Sequence, residues 1–308
     1  MTRDRCRSCG RAFAFDPKDT PSNPNKVTDK RFQSIIRNVS ARETISFTER
    51  QVYYEFDGQV HRWRHRFGRI FRRARRARTD PALVRRYCYR WRGVHGTIPG
   101  LLGGVPGVDV LPVPPWPDLT SYSFERVLVT ESAEVAAMLV ANNVHFEQNC
   151  AILSADGYPV GLADSLLAML RRNPRLQVYV VHDASPAGCS LPLTLRQADW
   201  FPGDGTTVFD LGLLPRHVLA RRLYSVTGAP AALPDTISQK LTPRETTWLE
   251  QGNTSELEAI RPSLLIRGIV RGFARRLEDE PGVEPRRRDD SVWIFGDDTD
   301  AYTSENFG

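Results

Sequence analysis

Apolar and polar positions predict two short helices between residues 29 and 58. The first is indicated by apolar residues at helical spacing, namely Phe32, Ile35, Ile36 and Val39. A second helix is predicted to begin at Thr48, where Gln51 completes a capping-box pattern. Two short helices separated by a turn fit a winged-helix or helix-turn-helix element, so we expect a small winged-helix-like domain here.

After residue 122 the pattern changes, and apolar runs of strand length alternate with helical patterns. The predicted strands are 127–130, 151–154, 176–181 and 207–211, and the predicted helices are 133–141, 161–171 and one that starts near Pro186. This alternation is typical of a parallel sheet with helices on both faces. We therefore predict an α/β fold for this half of the chain.

Composition divides the chain into segments. In chain order they are an opening of zinc-knuckle type (1–28), the winged-helix-like region (29–60), a basic amphipathic helix (61–92), a Gly/Pro-rich linker (93–121), the α/β domain (122–277) and a charged tail that is expected to be disordered (278–308).

Positive charge is concentrated in one segment. The net charge is only +6, but residues 62–92 hold thirteen arginines against one acid, Asp80. Phosphate contacts from arginines give DNA affinity that is independent of sequence, so DNA is the predicted partner. The arginines proposed for DNA binding are Arg62, Arg66, Arg69, Arg72, Arg73 and Arg76. A solvated face, a partner protein and an anionic membrane surface are the alternatives for this helix.

The apolar stretches are much shorter than the ~20 residues that cross a bilayer, and the first residues lack an apolar signal core. We therefore expect a soluble, cytoplasmic protein. Its cysteine count of five is odd and sparse, which favours reduced thiols over a disulfide framework.

Cys6 and Cys9, followed by a glycine, form half of a zinc knuckle. A structural Zn²⁺ site needs four ligands. The other two would come from His61 and His65, which have His-x-x-x-His spacing, or from Cys88 and His95. Two thiols without a metal are the alternative interpretation.

Carboxylates follow the ends of the predicted strands in the α/β half. They are Glu131, Asp156 and Asp183. Open parallel sheets bind ligands at the carboxyl ends of their strands, and a carboxylate at the end of a buried strand is costly unless it is hydrogen-bonded or binds a cation. Glu131 and Asp183 together therefore suggest a Mg²⁺ site. Helix caps or surface residues are the alternative for each acid.

The order of several motifs resembles a known family. They are Val129-Thr130-Glu131, Gly157-Tyr158-Pro159, Asp183-Ala184-Ser185-Pro186-Ala187-Gly188, Leu211-Gly212-Leu213-Leu214-Pro215, Leu241-Thr242-Pro243-Arg244-Glu245 and Glu256-Leu257-Glu258-Ala259. This succession resembles the Toprim domain of topoisomerase VI A subunits and of their meiotic double-strand-break relatives. The resemblance covers about half of the chain, from residue 124 to about residue 260. It implies a Toprim (Rossmann-like) sheet and a homodimer.

Upstream, Arg50-Gln51-Val52-Tyr53-Tyr54 resembles the family's Arg-Asp-Ile-Tyr-Tyr. The resemblance implies that Tyr54 is the catalytic nucleophile and that Arg50 lies near the scissile phosphate. Mg²⁺ held by the Toprim domain, Glu131 and Asp183 included, would stabilise the charge that builds on phosphorus. The alternative is that the paired tyrosines are core aromatics of an amphipathic helix.

Two features depart from the family. Ser185 stands where the family has the second Asp of Asp-x-Asp, and a hydroxyl is a poor substitute for a carboxylate on Mg²⁺. Asp156 could add a ligand, although the matching position in the family is not one. No Gly-x-x-x-x-Gly-Lys is present, so strand passage would need an ATPase partner protein.

The function expected from these residues is Mg²⁺-dependent DNA binding and breakage, by transesterification at Tyr54 or by hydrolysis at the Toprim site. One alternative is a catalytically degenerate Toprim-like protein that binds DNA or proteins as a component of a multi-gene bacterial system, such as genome defence. Another is a nuclease similar to the Toprim subunits of plasmid-restricting defence complexes.

Overall fold

The computed structural model describes residues 5, 10–19, 21–61, 75–76, 79–103, 123–158, 161–201 and 206–277. In chain order its elements are α1 (Asp29–Val39), β1 (Phe47–Thr48), α2 (Glu49–Val60), β2 (Arg75–Arg76), α3 (Pro81–His95), β3 (Leu101–Leu102), β4 (Arg126–Thr130), α4 (Ala133–Ala141), α5 (Val144–Glu147), β5 (Cys150–Ser154), α6 (Leu162–Arg172), β6 (Gln177–Val181), α7 (Pro186–Gln197), β7 (Val208–Asp210), α8 (Pro215–Arg221), β8 (Tyr224–Thr227), α9 (Asp235–Ser238), α10 (Pro243–Glu250), β9 (Asn253–Thr254), a 3-10 turn (Leu257–Ala259) and α11 (Pro262–Leu277).

The chain folds into two compact units, and each is built from separated stretches of sequence. The first unit comprises Met1–Pro114, Pro215–Ala232 and Pro243–Ser263. The second comprises Pro115–Leu214, Leu233–Thr242 and Leu264–Gly308. The sequence predicted that residues 122–277 form one domain. The stretches Pro215–Ala232 and Pro243–Ser263 group with the N-terminal residues instead, because β8 pairs with β2 and β9 pairs with β8.

The predicted helices of the first unit are confirmed. Thr28 caps α1, and the apolar residues that indicated this helix are all buried. The capping box at the start of α2 is complete, because Thr48 and Gln51 bond each other's backbone N–H groups. Behind these helices lies an aromatic core in which the Phe15 ring contacts Phe32 and Tyr87, with centroids 5.0 and 5.1 Å away. A winged-helix fold for this unit stays a prediction.

The basic helix predicted for 61–92 does not run without a break. Arg75–Arg76 form β2, which pairs in parallel with β8, and α3 begins only at Pro81. The Asp80 side chain accepts a hydrogen bond from the Ala82 N–H, so Asp80 and Pro81 provide a helix start that the arginine spacing obscured. Several predicted residues lie outside the described part of the chain, namely Cys6, Cys9, Arg62, His65, Arg66, Arg69, Arg72 and Arg73, as does the tail 278–308.

The second unit contains a four-stranded sheet with the order β5-β4-β6-β7, and every neighbouring pair is parallel. The predicted α/β architecture is therefore confirmed. Val127 and Val178 lie on one face, which packs in a buried cluster with residues of α6 and α7. Tyr179 points to the opposite face, where its ring contacts Phe273 of α11 with the centroids 4.6 Å apart. Helices thus flank the sheet, and none in the described residues has the length and apolarity needed to cross a membrane.

Candidate functional site

The carboxyl ends of β4 and β6 flank a topological switch point. The chain leaves β4 for β5 on one side and then returns to β6 on the other side of β4. In sheets with this strand order, ligands bind in the crevice between these two strand ends. Glu131 directly follows β4, and Asp183 follows β6 by two positions. The fold therefore places both acids predicted for Mg²⁺ at the edge of the crevice.

Glu131 contacts the backbone of Asp183 directly. The Asp183 N–H donates to Glu131 Oε2 over 2.9 Å, and the Glu131 N–H donates to the Val181 carbonyl over 3.0 Å. These two hydrogen bonds hold the loop after β4 against the loop after β6. Residues that the sequence separates by 52 positions are thereby brought into one cluster.

Gly188 lets the Glu131 carboxylate approach the first turn of α7. A Cβ atom at this position would lie 2.6 Å from Glu131 Oε2 and would overlap the Asp183 carbonyl oxygen. Only a residue without a side chain leaves this space open. The backbone N–H groups at the start of a helix favour negative charge, so the carboxylate of Glu131 is electrostatically suited to this place.

Ser185 and Asp156 both serve helix starts. The Gly188 N–H donates to Ser185 Oγ over 2.9 Å, which makes Ser185 the N-cap of α7. The Ala133 N–H donates to Asp156 Oδ2 over 3.2 Å at the start of α4. Ser185 therefore has a structural role where the family pattern has a second acidic ligand. A serine before Pro186 at a helix start was a signal for this cap in the sequence.

His182 and Asp210 belong to the same edge and were missed by the sequence analysis. His182 is fully buried, with Nε2 3.1 Å from Asp210 Oδ1 and Nδ1 2.7 Å from the Asp183 carbonyl oxygen. Burial disfavours the imidazolium, but the charge and hydrogen bond of Asp210, the hydrogen bond to the Asp183 backbone and the charge of Glu131 together outweigh it, so the pKa of His182 is raised. Gly212 lies directly against the imidazole ring. The available signal was that β7 ends in an acid, Asp210, as β4 is followed directly by Glu131.

The described residues contain no group of three or more His, Cys, Asp and Glu side chains arranged to hold a metal ion. A cation at this edge would therefore take two protein carboxylates, those of Glu131 and Asp183. Mg²⁺ commonly keeps several waters and binds through one or two carboxylates together with phosphate oxygens. Glu131 and Asp183 supply the number and type of protein ligands that this chemistry uses, and Ser185 adds no third carboxylate.

A second cluster, in the first unit, surrounds Tyr54. The Tyr54 hydroxyl donates to Glu256 Oε2 over 2.9 Å, and Arg50 Nε donates to the same oxygen over 2.6 Å. Arg50 Nη2 contacts Glu256 Oε1. Tyr54 is 4% exposed, and this burial, followed by the negative charge of Glu256, raises the pKa of Tyr54 well above its usual range.

Further contacts bind α2 to the same C-terminal stretch. Thr48 Oγ1 donates to Glu258 Oε1 over 3.2 Å, and Arg261 Nε donates to Glu55 Oε2 over 2.9 Å. The sequence analysis treated Glu256 and Glu258 only as part of a family motif. Glu256 is more than 200 positions from Tyr54, so local spacing gave no sign that the two side chains meet.

The described zinc candidates are occupied by other contacts. His61 Nε2 lies 3.4 Å from Thr79 Oγ1 and 3.7 Å from Asp57 Oδ1. Cys88 lies in the core of the first unit, and burial raises the pKa of its thiol to about 12. His95 Nε2 is 2.5 Å from Asp29 Oδ2. Cys6, Cys9 and His65 lie outside the described residues, so zinc binding by Cys6 and Cys9 with either candidate pair stays a prediction.

Comparison with known protein families and with curated proteins finds no match to this chain.

Proposed function

We propose that this protein is a Mg²⁺-dependent DNA-binding and DNA-breaking protein of the topoisomerase VI A-like type. The observation that carries the proposal is the hydrogen bond between Glu131 and the Asp183 backbone at the switch point of the parallel sheet. A Toprim domain needs two acids from separate strands at this position. The resemblance further implies a homodimer in which the tyrosine of one chain meets the metal of the other, together with an ATPase partner for strand passage.

A bound Mg²⁺ would neutralise charge on the transferring phosphate. Glu131 and Asp183 would hold it. Because the Ser185 hydroxyl accepts a hydrogen bond from the Gly188 N–H, we propose one metal ion in place of a pair. Glu131 is already ordered by its bond to Asp183, so half of this ligand set is preorganised before a cation arrives.

The second candidate function is a non-cutting Toprim-like protein that binds DNA or proteins in a bacterial multi-gene system. Two observations favour it. Ser185 serves as a helix cap and brings no charge to the edge, and the Tyr54 side chain is only 4% exposed. This candidate predicts DNA binding without any covalent or hydrolytic product.

A cleavage assay separates these functions. We expect wild type with Mg²⁺ to break supercoiled DNA and to leave a covalent protein–DNA adduct that Tyr54→Phe cannot form. Glu131→Gln and Asp183→Asn should abolish breakage, because each removes a negative ligand. If DNA is broken without a covalent adduct, and if this breakage persists in Tyr54→Phe, the DNA is hydrolysed at the Toprim-like edge. A retained gel shift with no broken DNA in wild type would favour the second candidate and overturn the first.

The described part of the basic region supports DNA as the partner. Helix α3 carries Arg85, Arg86, Arg90 and Arg92 and no acid, and Tyr89 on its outer face is 63% exposed. Trp91 of the same helix packs against Phe32. A basic surface with an exposed aromatic residue suits phosphate contacts and base stacking.

We expect Arg86→Ala to weaken DNA binding almost equally for every DNA sequence. Loss of one phosphate contact should reduce the slope of log K against log salt by about 0.9. Fluorescence anisotropy at several salt concentrations measures this slope. Arg171→Ala, at the exposed end of α6, is the matched control and should leave the slope unchanged. Equal slopes for Arg86→Ala and wild type would remove α3 from the DNA-binding surface.

A further inference from the structure

The Glu256 carboxylate is held in one position against the hydroxyl of Tyr54. Its Oε2 atom accepts from both Tyr54 Oη and Arg50 Nε, and its Oε1 atom pairs with Arg50 Nη2. The side chain of Glu256 is 22% exposed, and that of Arg50 is 40% exposed. The carboxylate is therefore fixed by a two-point contact with Arg50, while one oxygen remains directed at the phenol.

We infer that Glu256 is the general base that removes the proton from Tyr54 when the phenol attacks DNA. This inference rests on the transesterification branch of the proposed function. It assigns a residue that the sequence resemblance did not place in the chemistry. It also changes the role of Arg50, which contacts Glu256 here and is a positioning residue for the base.

The distances fit this role. A general base must lie within about 2.6–3.2 Å of the atom whose proton it takes, and the separation between Tyr54 Oη and Glu256 Oε2 is 2.9 Å. Tyr54 is 4% exposed, so bulk water has little access to its hydroxyl. A buried phenol is a weak nucleophile until its proton is accepted as the bond to phosphorus forms.

The neighbouring side chains leave Glu256 as the acceptor. Glu258, the other carboxylate of this stretch, accepts from the Thr48 hydroxyl at the start of α2. The charged or titratable groups that act on Tyr54 are Arg50, Tyr53 and Glu256. Among these, Arg50 is cationic and Tyr53 is a phenol whose pKa is raised to about 12 by burial. Only Glu256 combines negative charge with a hydrogen bond to Tyr54 Oη.

The attack of Tyr54 on DNA transfers one proton and exchanges one phosphate ester bond for another. The O–H bond of Tyr54 breaks and its proton passes to Glu256 Oε2, while the phenolic oxygen forms a bond to phosphorus. The bond between phosphorus and the leaving deoxyribose oxygen breaks, and that oxygen takes a proton from water. Glu256 later returns its proton to water. No oxidant or reductant is needed.

The test compares Glu256→Gln with Glu256→Asp in the rate of covalent adduct formation on DNA with Mg²⁺. Glutamine keeps the length and an acceptor oxygen but is not a base, whereas aspartate keeps the basic group on a shorter arm. If Glu256 is the base, Glu256→Gln should slow the adduct by about 10²–10⁴-fold, and Glu256→Asp should retain more activity than Glu256→Gln. A structural acceptor gives the reverse order.

Glu258→Gln is the matched control, because it removes a buried carboxylate of the same stretch that accepts from the Thr48 hydroxyl. It should change the adduct rate by no more than a few fold. Phenolate absorbance during alkaline titration provides a readout besides activity. Glu256→Gln should ionise Tyr54 at a lower pH than wild type, because the charge that opposes the phenolate is gone.

Three outcomes overturn the inference. The first is an adduct rate in Glu256→Gln that equals or exceeds that of wild type. The second is a faster adduct rate in Glu256→Gln than in Glu256→Asp. The third is Mg²⁺-dependent breakage by wild type without any adduct. The last result leaves the proposed DNA-breaking function standing, so the two failures are distinguishable. Absence of any breakage by wild type removes both.

Discussion

Gly188→Ala is expected to weaken Mg²⁺ binding by about 10–100-fold, the usual effect of disturbing the groups that orient metal ligands. The added Cβ would lie 2.6 Å from Glu131 Oε2 and would overlap the carbonyl oxygen of Asp183. The carboxylate end of Glu131 can rotate away, but the Asp183 backbone cannot move without disturbing the loop after β6. Both proposed ligands therefore shift. Isothermal titration calorimetry with Mg²⁺ and with Mn²⁺ measures the change in affinity.

The same substitution should lower the free energy of unfolding by about 1–3 kcal/mol, because it overpacks a closed site. Gly93→Ala is the control, since a Cβ at this helical glycine meets nothing within 4 Å. Alanine there should leave cation affinity unchanged and stabilise α3 by about 0.5–1 kcal/mol. If Gly188→Ala binds Mg²⁺ as wild type does, the cation is not held by Glu131 and Asp183 at this edge.

Stability at high pH is expected to depend strongly on Tyr54. Its folded-state pKa is raised, first by burial and then by Glu256, whereas an unfolded tyrosine ionises near pH 10. The stabilisation is thus complete below about pH 10 and is lost as the pH rises toward the folded pKa. Between these two pKa values the unfolded chain has released one more proton than the folded chain. The free energy of unfolding therefore falls by about 1.4 kcal/mol for each pH unit.

Urea unfolding at about pH 9, 10 and 11, which span the ordinary pKa of tyrosine, tests this expectation. Tyr54→Phe should reduce the alkaline slope by about one proton. Tyr89→Phe, which removes a hydroxyl from a residue that is 63% exposed, is the matched control and should leave the slope as it is in wild type. An unchanged slope in Tyr54→Phe would mean that the phenol ionises equally easily in the folded and unfolded chains.

Much of the fold was predictable because the responsible signals are local. The burial of Phe32 and Val39 followed from helical spacing, and the capping box of α2 followed from Thr48 and Gln51. The four parallel strands were each preceded or followed by a helical pattern of ordinary length. Glu131 and Asp183 also followed from a general rule, because strand order brings the carboxyl ends of β4 and β6 to one crevice.

The rest depends on contacts between distant residues, which local spacing does not encode. β2 is only two residues long, and its partner strand β8 begins at Tyr224, so the arginine periodicity suggested a helix where Arg75–Arg76 are extended. Tyr54 could be interpreted as a nucleophile, but its bond to Glu256 depends on a tertiary contact across 202 positions. Ser185 stands where the family has an acid, and this comparison does not indicate its local role, which is to cap α7 by accepting from the Gly188 N–H.

The interleaved chain path of the first unit has a consequence for synthesis on the ribosome. Arg50, Tyr54 and Glu55 emerge early, but Glu256 and Arg261 are translated about two hundred residues later. Until that stretch emerges, the hydroxyl of Tyr54 lacks its acceptor, Glu256, and the carboxylate of Glu55 lacks its cationic partner, Arg261. The first unit can therefore form these contacts only after the strands of the second unit's parallel sheet have been translated.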